Sequence, residues 1–303
     1  MKGENEKMRT DPIDFVKALK ESYPKIFGRM PSVVFRIIGW FYGINIANGL
    51  SRYVISKGLT GTDAARVAMV EKHGITYTVV EEDRLPDKDT PCLFVSNHPL
   101  GWIDALIEMG MLSQHYPDVK VIGNEVNSFL KPFDTAILFV NVYGRTSRLQ
   151  RKILIDAFRD KSLQILIFPA GACSRVPLWH VHPKDCTWNK NFIAQVVRTQ
   201  RTVVPIYFQG RHSVFFYLTD IICRILHLPK IISTLMLPWE NLRHTRRKHY
   251  TLYIGKPIPW TTFTKDKSPQ QWADWLRDRT YDIPRDSLSE SQTTVVPAES
   301  EGV

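Results

Sequence analysis

The chain has 303 residues, with 40 Lys and Arg against 30 Asp and Glu, a net charge of +10, and 44% apolar residues. That is room for one large or two small domains and enough apolar material for a sizeable core, which excludes a mainly disordered or fibrous chain. The positive balance favours acidic partners (an anionic lipid surface, nucleic acid or an acidic carrier protein) without choosing among them.

Residues 1–75 read as helices. Asp14, Phe15, Val16, Leu19 and Tyr23 form an amphipathic run ending near Pro24; Pro31-Ser32 opens a second run, Val33–Ser56; Thr62–His73 makes a third, closed by Gly74. The polar start, MKGENEKMRTDP, is no secretory signal, and four cysteines without CxxC or zinc-finger spacing predict a reducing compartment. The longest uncharged stretch, 37–51, has 15 residues with three Gly and two Asn, short of the roughly 20 apolar residues a spanning helix needs. From residue 76 onward β-rich runs alternate with helical ones. Strands are predicted at Tyr77–Glu81, Cys92–Ser96, Val119–Ile122, Ala136–Val140, Leu163–Phe168, Val203–Phe208 and Tyr250–Ile254. Helices are predicted at Ile103–His115, Ser147–Arg159, Asn191–Gln200, Leu218–Leu226 and Pro269–Arg277. Continuous apolar strands such as LQILIF indicate a sheet covered on both faces, hence an α/β sandwich. The segment 284–303 carries one Arg against four acids and is rich in Ser and Thr, a composition that predicts a disordered tail. The organisation is therefore a helical, membrane-surface region 1–75, an α/β domain 76–283 and a tail 284–303.

Three strand exits carry the polar residues of interest. Cys92–Ile107 reads CLFVSNHPLGWIDALI. A strand runs into Asn97 and His98, then a Pro-Leu-Gly turn, then a helix holding Asp104. Gly101 lets the turn fold back, bringing the Asp104 carboxylate within reach of the imidazole. A carboxylate on one ring nitrogen leaves the other as a general base and stabilises the imidazolium. Spacing alone equally allows Asp104 to be a first-turn acid favoured by the helix dipole. Leu163–Arg175, LQILIFPAGACSR, is a second strand exit, a glycine-bearing loop followed by Ser174 and Arg175; its backbone N–H groups and guanidinium suit an anion, and an ordinary turn with an exposed Arg fits the residues as well. The third, VNVYGRTSRLQRK, places Arg145 after a Gly; Arg148 and Arg151 read as a solvated helix face.

In this order the pieces resemble the glycerolipid acyltransferase superfamily, the lysophosphatidate-acyltransferase-like enzymes. Asn97 to Asp104 is similar to that family's His-x4-Asp motif with one extra residue, Phe168-Pro169-Ala170-Gly171 to its Phe-Pro-Glu-Gly motif, Arg145 to its acceptor-binding Arg, and Val203-Val204-Pro205-Ile206 to its late block. NHPLGxxD, FPAGxxSR and the helix entry Trp188-Asn189-Lys190-Asn191-Phe192 resemble the bacterial glycerol-acyltransferase or haemolysin-like subgroup. The resemblance implies a mixed, mostly parallel sheet flanked by helices over about 75–260. It implies an acyltransferase in which His98 is general base and Asp104 orients it, with acceptor and donor held by Asn97, Gly101, Arg145, Phe168, Pro169, Gly171, Ser174 and Arg175. The donor would be an acyl-ACP or acyl-CoA thioester and the acceptor a lyso-lipid or glycerol-type molecule, with neither cofactor nor metal. Loop amides near Gly171 are expected to stabilise the developing oxyanion. Ala170 stands where the motif carries Glu, and Cys173 where it often carries Arg, so an acceptor with a different head group, such as an amino-acid-based lyso-lipid, competes with a glycerol phosphate.

The apolar load of Val33–Leu50, with Phe215-Phe216-Tyr217 and Ile221–Leu237, suits an anionic membrane surface, and Arg243–His249 adds cations. The expected location is cytoplasmic, peripheral on the inner face of the membrane. His180, His182, Asp185 and Cys186 have ligand-like spacing but no second cluster; a metal site is not expected. Cys173 has no nucleophile motif around it, and nothing indicates nucleic-acid binding. The alternatives are a lipid-binding protein without turnover and a thioester or lipid hydrolase.

Overall fold

The computed structural model describes residues 28, 31–41, 43–124, 131–140, 147–177, 182–228, 233, 236–287 and 293–296. In chain order the helices α1 (Ser32–Phe41), α2 (Ile44–Ser56) and α3 (Gly61–Val67) lead into β1 (Thr76–Val80), β2 (Cys92–Ser96), α4 (Trp102–Leu112), β3 (Val119–Asn124), β4 (Ile137–Val140), α5 (Arg148–Arg159) and β5 (Gln164–Ile167). Then follow α6 (Asn191–Thr199), β6 (Thr202–Gln209), α7 (Val214–Ile225), the short α8 (Leu237–Trp239), which continues as a π turn over Glu240–His244, β7 (His249–Ile254), α9 (Pro269–Ser287) and β8 (Thr293–Val296).

The strands form one sheet in the order β4-β3-β5-β2-β6-β7-β1-β8. The pairs β3–β4, β3–β5, β2–β5, β2–β6 and β1–β7 are parallel; β6–β7 and β1–β8 are antiparallel. The sheet is thus mixed and mostly parallel, and helices cover both faces, as the apolar strands require. Alternation along β2 divides the core. Cys92 and Phe94 face α2, α3 and α4, while Leu93 and Val95 face α5, α6 and α9. Because β2, β5 and β6 run parallel, their C-terminal ends open on one rim, where ligands of α/β sheets usually bind.

Three boundaries differ from the sequence reading. The run 33–56 is broken: Gly43 adopts φ 79°, a left-handed conformation that a side chain disfavours. An added Cβ there would meet Leu242 at 3.1 Å and Arg243 at 3.3 Å, so α1 leaves at an angle set by packing on the π turn. The helix predicted from Leu218 begins at Val214, because the Ser213 hydroxyl accepts the Phe216 N–H at 3.1 Å and caps it. The expected disordered tail instead starts as helix: α9 runs through Pro284 to Ser287, and Thr293–Val296 returns as an edge strand antiparallel to β1. Composition signals solubility of a segment, but an open sheet edge supplies backbone partners that composition does not register. The amphipathic run at 14–23 lies outside the described residues.

Candidate active site

His98 leaves the rim one residue after Asn97 at the end of β2. Asn97 fixes that exit, since its Nδ2 donates to the Phe208 carbonyl at 3.0 Å and its Oδ1 accepts the Phe208 N–H at 2.7 Å. Both halves of the amide clamp β2 to β6, so Asn97 positions the histidine and does not present an open group. Gly101 then takes φ 89° and ψ −121°, a region closed to side chains, and caps α4. Asp104 sits at 3.0 Å from His98 Nδ1 through its Oδ1. The approach is within ion-pair range, though the ring N–H points off the line of a full hydrogen bond. Asp104 is fully buried and tightly held: Oδ2 accepts the N–H of Leu100 (2.8 Å) and Gly101 (3.2 Å), and Oδ1 that of Ala105 (2.7 Å).

The His98 ring lies on Phe168, with centroids 4.3 Å apart, and its side chain keeps 16% exposure. Nδ1 is buried against Asp104, which leaves Nε2 as the reachable nitrogen, without a partner among the described residues. Burial lowers the imidazole pKa, but the charge of Asp104, the contact with it and the more distant Asp185 outweigh that, and the net shift is upward.

Asp185 is the member that sequence reasoning missed. Its Oδ1 accepts the His98 N–H at 3.2 Å and the Ser174 hydroxyl at 2.6 Å, and its Oδ2 accepts Trp188 Nε1 at 2.8 Å. The Ser174 N–H in turn donates to the His98 carbonyl at 2.7 Å. One buried carboxylate therefore ties the FPAGACSR loop to the histidine. In the sequence Asp185 belonged to a metal-like cluster with His180, which lies outside the described residues; the only usable signal was its closeness to Trp188. Glu108, one turn beyond Asp104, was missed as well. It is fully buried, accepts the Ser96 hydroxyl at 2.8 Å, and burial with Asp104 nearby pushes its carboxyl well above the usual range.

The second strand exit departs from expectation at Gly171. Its N–H closes a turn onto the Phe168 carbonyl at 3.0 Å, so this amide is not open to an oxyanion. Pro169 is buried and its carbonyl accepts the Asn189 N–H at 2.9 Å. Ser174 is buried on Asp185 and holds the loop in place. Arg175 reaches Asp220 of α7 and the Ser233 hydroxyl, and its guanidinium stacks on Phe216 at 5.1 Å. Burial pushes the Cys173 thiol up to about 11, so it carries no thiolate near neutrality. Arg145 lies outside the described residues.

A rim histidine with a locked carboxylate behind it can deprotonate a hydroxyl, and known proteins show in which setting. A family model described as "Acyltransferase" matches residues 61–290. A lyso-glycine lipid O-acyltransferase of Phocaeicola vulgatus is 39% identical over 273 residues, covering 89% of this chain and 95% of that protein. A lyso-glycine lipid O-acyltransferase of Bacteroides thetaiotaomicron is 32% identical over 279 residues, covering 89% and 97%. The crystal structure of the 1-acyl-sn-glycerophosphate acyltransferase of Thermotoga maritima overlays with a TM-score of 0.43 and 14% identity over 95% of this chain and 97% of that one. With the family model spanning most of the ordered sheet and its rim, this chain belongs to the glycerolipid acyltransferase superfamily and is an acyltransferase.

Proposed function

We propose that the protein moves a fatty acyl chain from a thioester donor, acyl-ACP or acyl-CoA, to the hydroxyl of an amino-acid lyso-lipid of the lyso-glycine type. The observation that carries the reading is His98 held at 3.0 Å from buried Asp104 with its other ring nitrogen open. Nε2 takes the acceptor's hydroxyl proton as that oxygen attacks the thioester carbonyl. The C–O bond forms, the tetrahedral intermediate collapses, the C–S bond breaks, and the imidazolium returns its proton to the leaving thiolate. Asp104 stabilises the imidazolium between the two transfers. The acceptor class is supported by the two relatives and by Ala170, which removes the acid of the common loop motif. Mass spectrometry of the purified protein with both donors and a panel of lyso-acceptors tests this. The expected product is O-acylated glycine lipid, absent with His98→Ala; free fatty acid alone would mean a hydrolase, and lipid binding without thioester consumption a binding protein.

An amphiphilic acceptor calls for a lipid surface, and two apolar helix faces suit one. On α1, Val33, Ile37 and Phe41 are exposed and Trp40 is 66% exposed; on α7, Leu218, Ile222 and Ile225 are exposed and Phe215 is 65% exposed. Both helices are tied to the same short segment: Arg243 donates to the carbonyls of Phe41 (2.8 Å) and Trp40 (2.5 Å), and Glu240 accepts the Ser213 N–H at 2.8 Å. Arg246 and Arg247 are exposed beside it, and each cation near anionic headgroups adds about 1 kcal/mol. This supports a peripheral position on the inner face of the membrane; among the described residues no helix is long and apolar enough to cross one. Phe215→Ser with Ile222→Ser should move the protein from the pellet to the supernatant in sedimentation with anionic vesicles. Undiminished sedimentation removes α7 from the contact.

A further inference from the structure

The acceptor's polar end needs a partner of matching charge, and the charge balance beside the His98 loop bears on which one it meets. Asp220, on α7, is buried and lies between two guanidinium groups. Arg175 Nη1 donates to its Oδ1, and Arg224 Nε lies 3.2 Å from its Oδ2. Two cations therefore share one carboxylate, and one positive charge is left over. Arg175 uses Nη1 alone, on Asp220 and Ser233; Arg224 gives Nη2 to the Val176 carbonyl at 2.5 Å. The remaining N–H groups of both have no partner among the described residues, and the two side chains are 27% and 33% exposed. The Arg224 Nε–H is buried and points off the line to Asp220, so a charged donor stands there incompletely satisfied, a costly condition unless something else meets it. Stacking on Phe216 holds the Arg175 plane in place.

The pair is close to the chemistry and to the proposed membrane face at once. Ser174, the neighbour of Arg175, is bonded to the His98 carbonyl at 2.7 Å. Asp220 and Arg224 lie on the same helix whose opposite side presents Phe215 and Ile222. We propose that Arg175 and Arg224 form the subsite for the acceptor's free carboxylate, with Asp220 setting the charge so that a monoanion is matched and a phosphate dianion is not. This deepens the functional reading above and rests on it: a glycine joined to its acyl chain through nitrogen keeps one carboxylate, and planar guanidinium groups accept a carboxylate with paired N–H bonds. The residual charge of one cation leaves a phosphate monoester half compensated in a partly desolvated site, which disfavours it.

The test compares two acceptors on one protein, lyso-glycine lipid and its methyl ester, which lacks only the charge. Arg224→Gln should raise KM for the free acid by roughly 10-fold or more, the usual worth of a charge-assisted hydrogen bond, with little change in kcat and less than a twofold change in KM for the ester. Equal effects on acid and ester, or none on either, overturn the subsite. Asp220→Asn adds a net positive charge and should raise the ratio of lysophosphatidate to lyso-glycine lipid turnover; an unchanged ratio also counts against the assignment. Both readouts are ratios within one variant, so partial loss of folded protein cancels. Wild-type protein that acylates neither lyso-glycine lipid nor its ester overturns the functional reading, and this inference with it; wild-type turnover with an indifferent Arg224→Gln overturns the inference alone.

Discussion

His98→Ala should lower kcat/KM for acyl transfer by about 10²–10⁴-fold, the range that a positioned general base supplies, while the protein remains folded. Folding should survive because the ring sits at the rim and Asp104 does not depend on it. That carboxylate keeps its three backbone N–H donors, from Leu100, Gly101 and Ala105. The base must be neutral to accept a proton, and its pKa is raised above 6.5, so the acid limb of the wild-type rate profile should lie above that of a free imidazole. The sign for stability is the reverse of that for activity. Charged His98 favours the folded state at pH below the unfolded value, and the contribution is lost as pH rises through the folded one. Asp104 is the strongest of the groups raising the pKa, so Asp104→Asn should pull the acid limb down as well as slowing the reaction. The pH dependence of kcat/KM by a thiol-release assay checks both. A full rate in His98→Ala removes it from the mechanism, and an unmoved limb in Asp104→Asn reduces Asp104 to a helix cap.

Arg201→Met should cost about 3–5 kcal/mol of stability, the range for stripping a buried charged group from its partners, and should leave kcat per folded molecule unchanged. Arg201 is fully buried at the rim opposite the site. Its guanidinium donates to five carbonyls: Phe158 (3.0 Å), Cys92 (3.1 Å), Leu163 (2.7 Å), Ala157 (3.2 Å) and Asp160. Ala157, Phe158 and Asp160 belong to the last turn of α5 and its cap, whose carbonyls have no helical partner and carry the negative end of the dipole. Leu163 and Cys92 start the approach to β5 and β2. One side chain thus joins a helix end to two central strands. Methionine keeps the volume and leaves those acceptors buried without donors, which is the expensive case. At this size the loss corresponds to a fall on the order of 10 °C in Tm. Calorimetry with activity normalised to folded protein checks it; a Tm within 2–3 °C of wild type would mean that water replaces the guanidinium.

Much of the architecture was legible because it is local. Strands such as Cys92–Ser96 and Leu163–Phe168 are continuous apolar runs bounded by turn residues, and each of the seven predicted strands forms. Periodicity and caps also located the helices that pack on them. What it could not locate were ends decided by contacts far away. The break at Gly43 is set by Leu242 and Arg243, and Thr293–Val296 becomes a strand because β1 offers an open edge. The same division holds at the site. His98 and Asp104 are six positions apart on one turn, so their pairing could be read from Gly101 between them.

Asp185 reaches His98 across 87 positions and Asn97 reaches Phe208 across 111, and no spacing rule carries that information. Arg175 shows the limit most clearly. Its loop marks it as a cation at a strand exit, but only α7, folded over that exit, supplies Asp220 and Arg224 and converts one free charge into a shared one. The amino-acid sequence by itself determined the covered α/β sheet, the histidine on its rim and the carboxylate beside it, because those depend on side-chain period and a single turn. The tertiary structure alone decided which polar groups are committed and which remain open, because hydrogen bonding and charge compensation in a desolvated rim depend on elements brought together from distant parts of the chain.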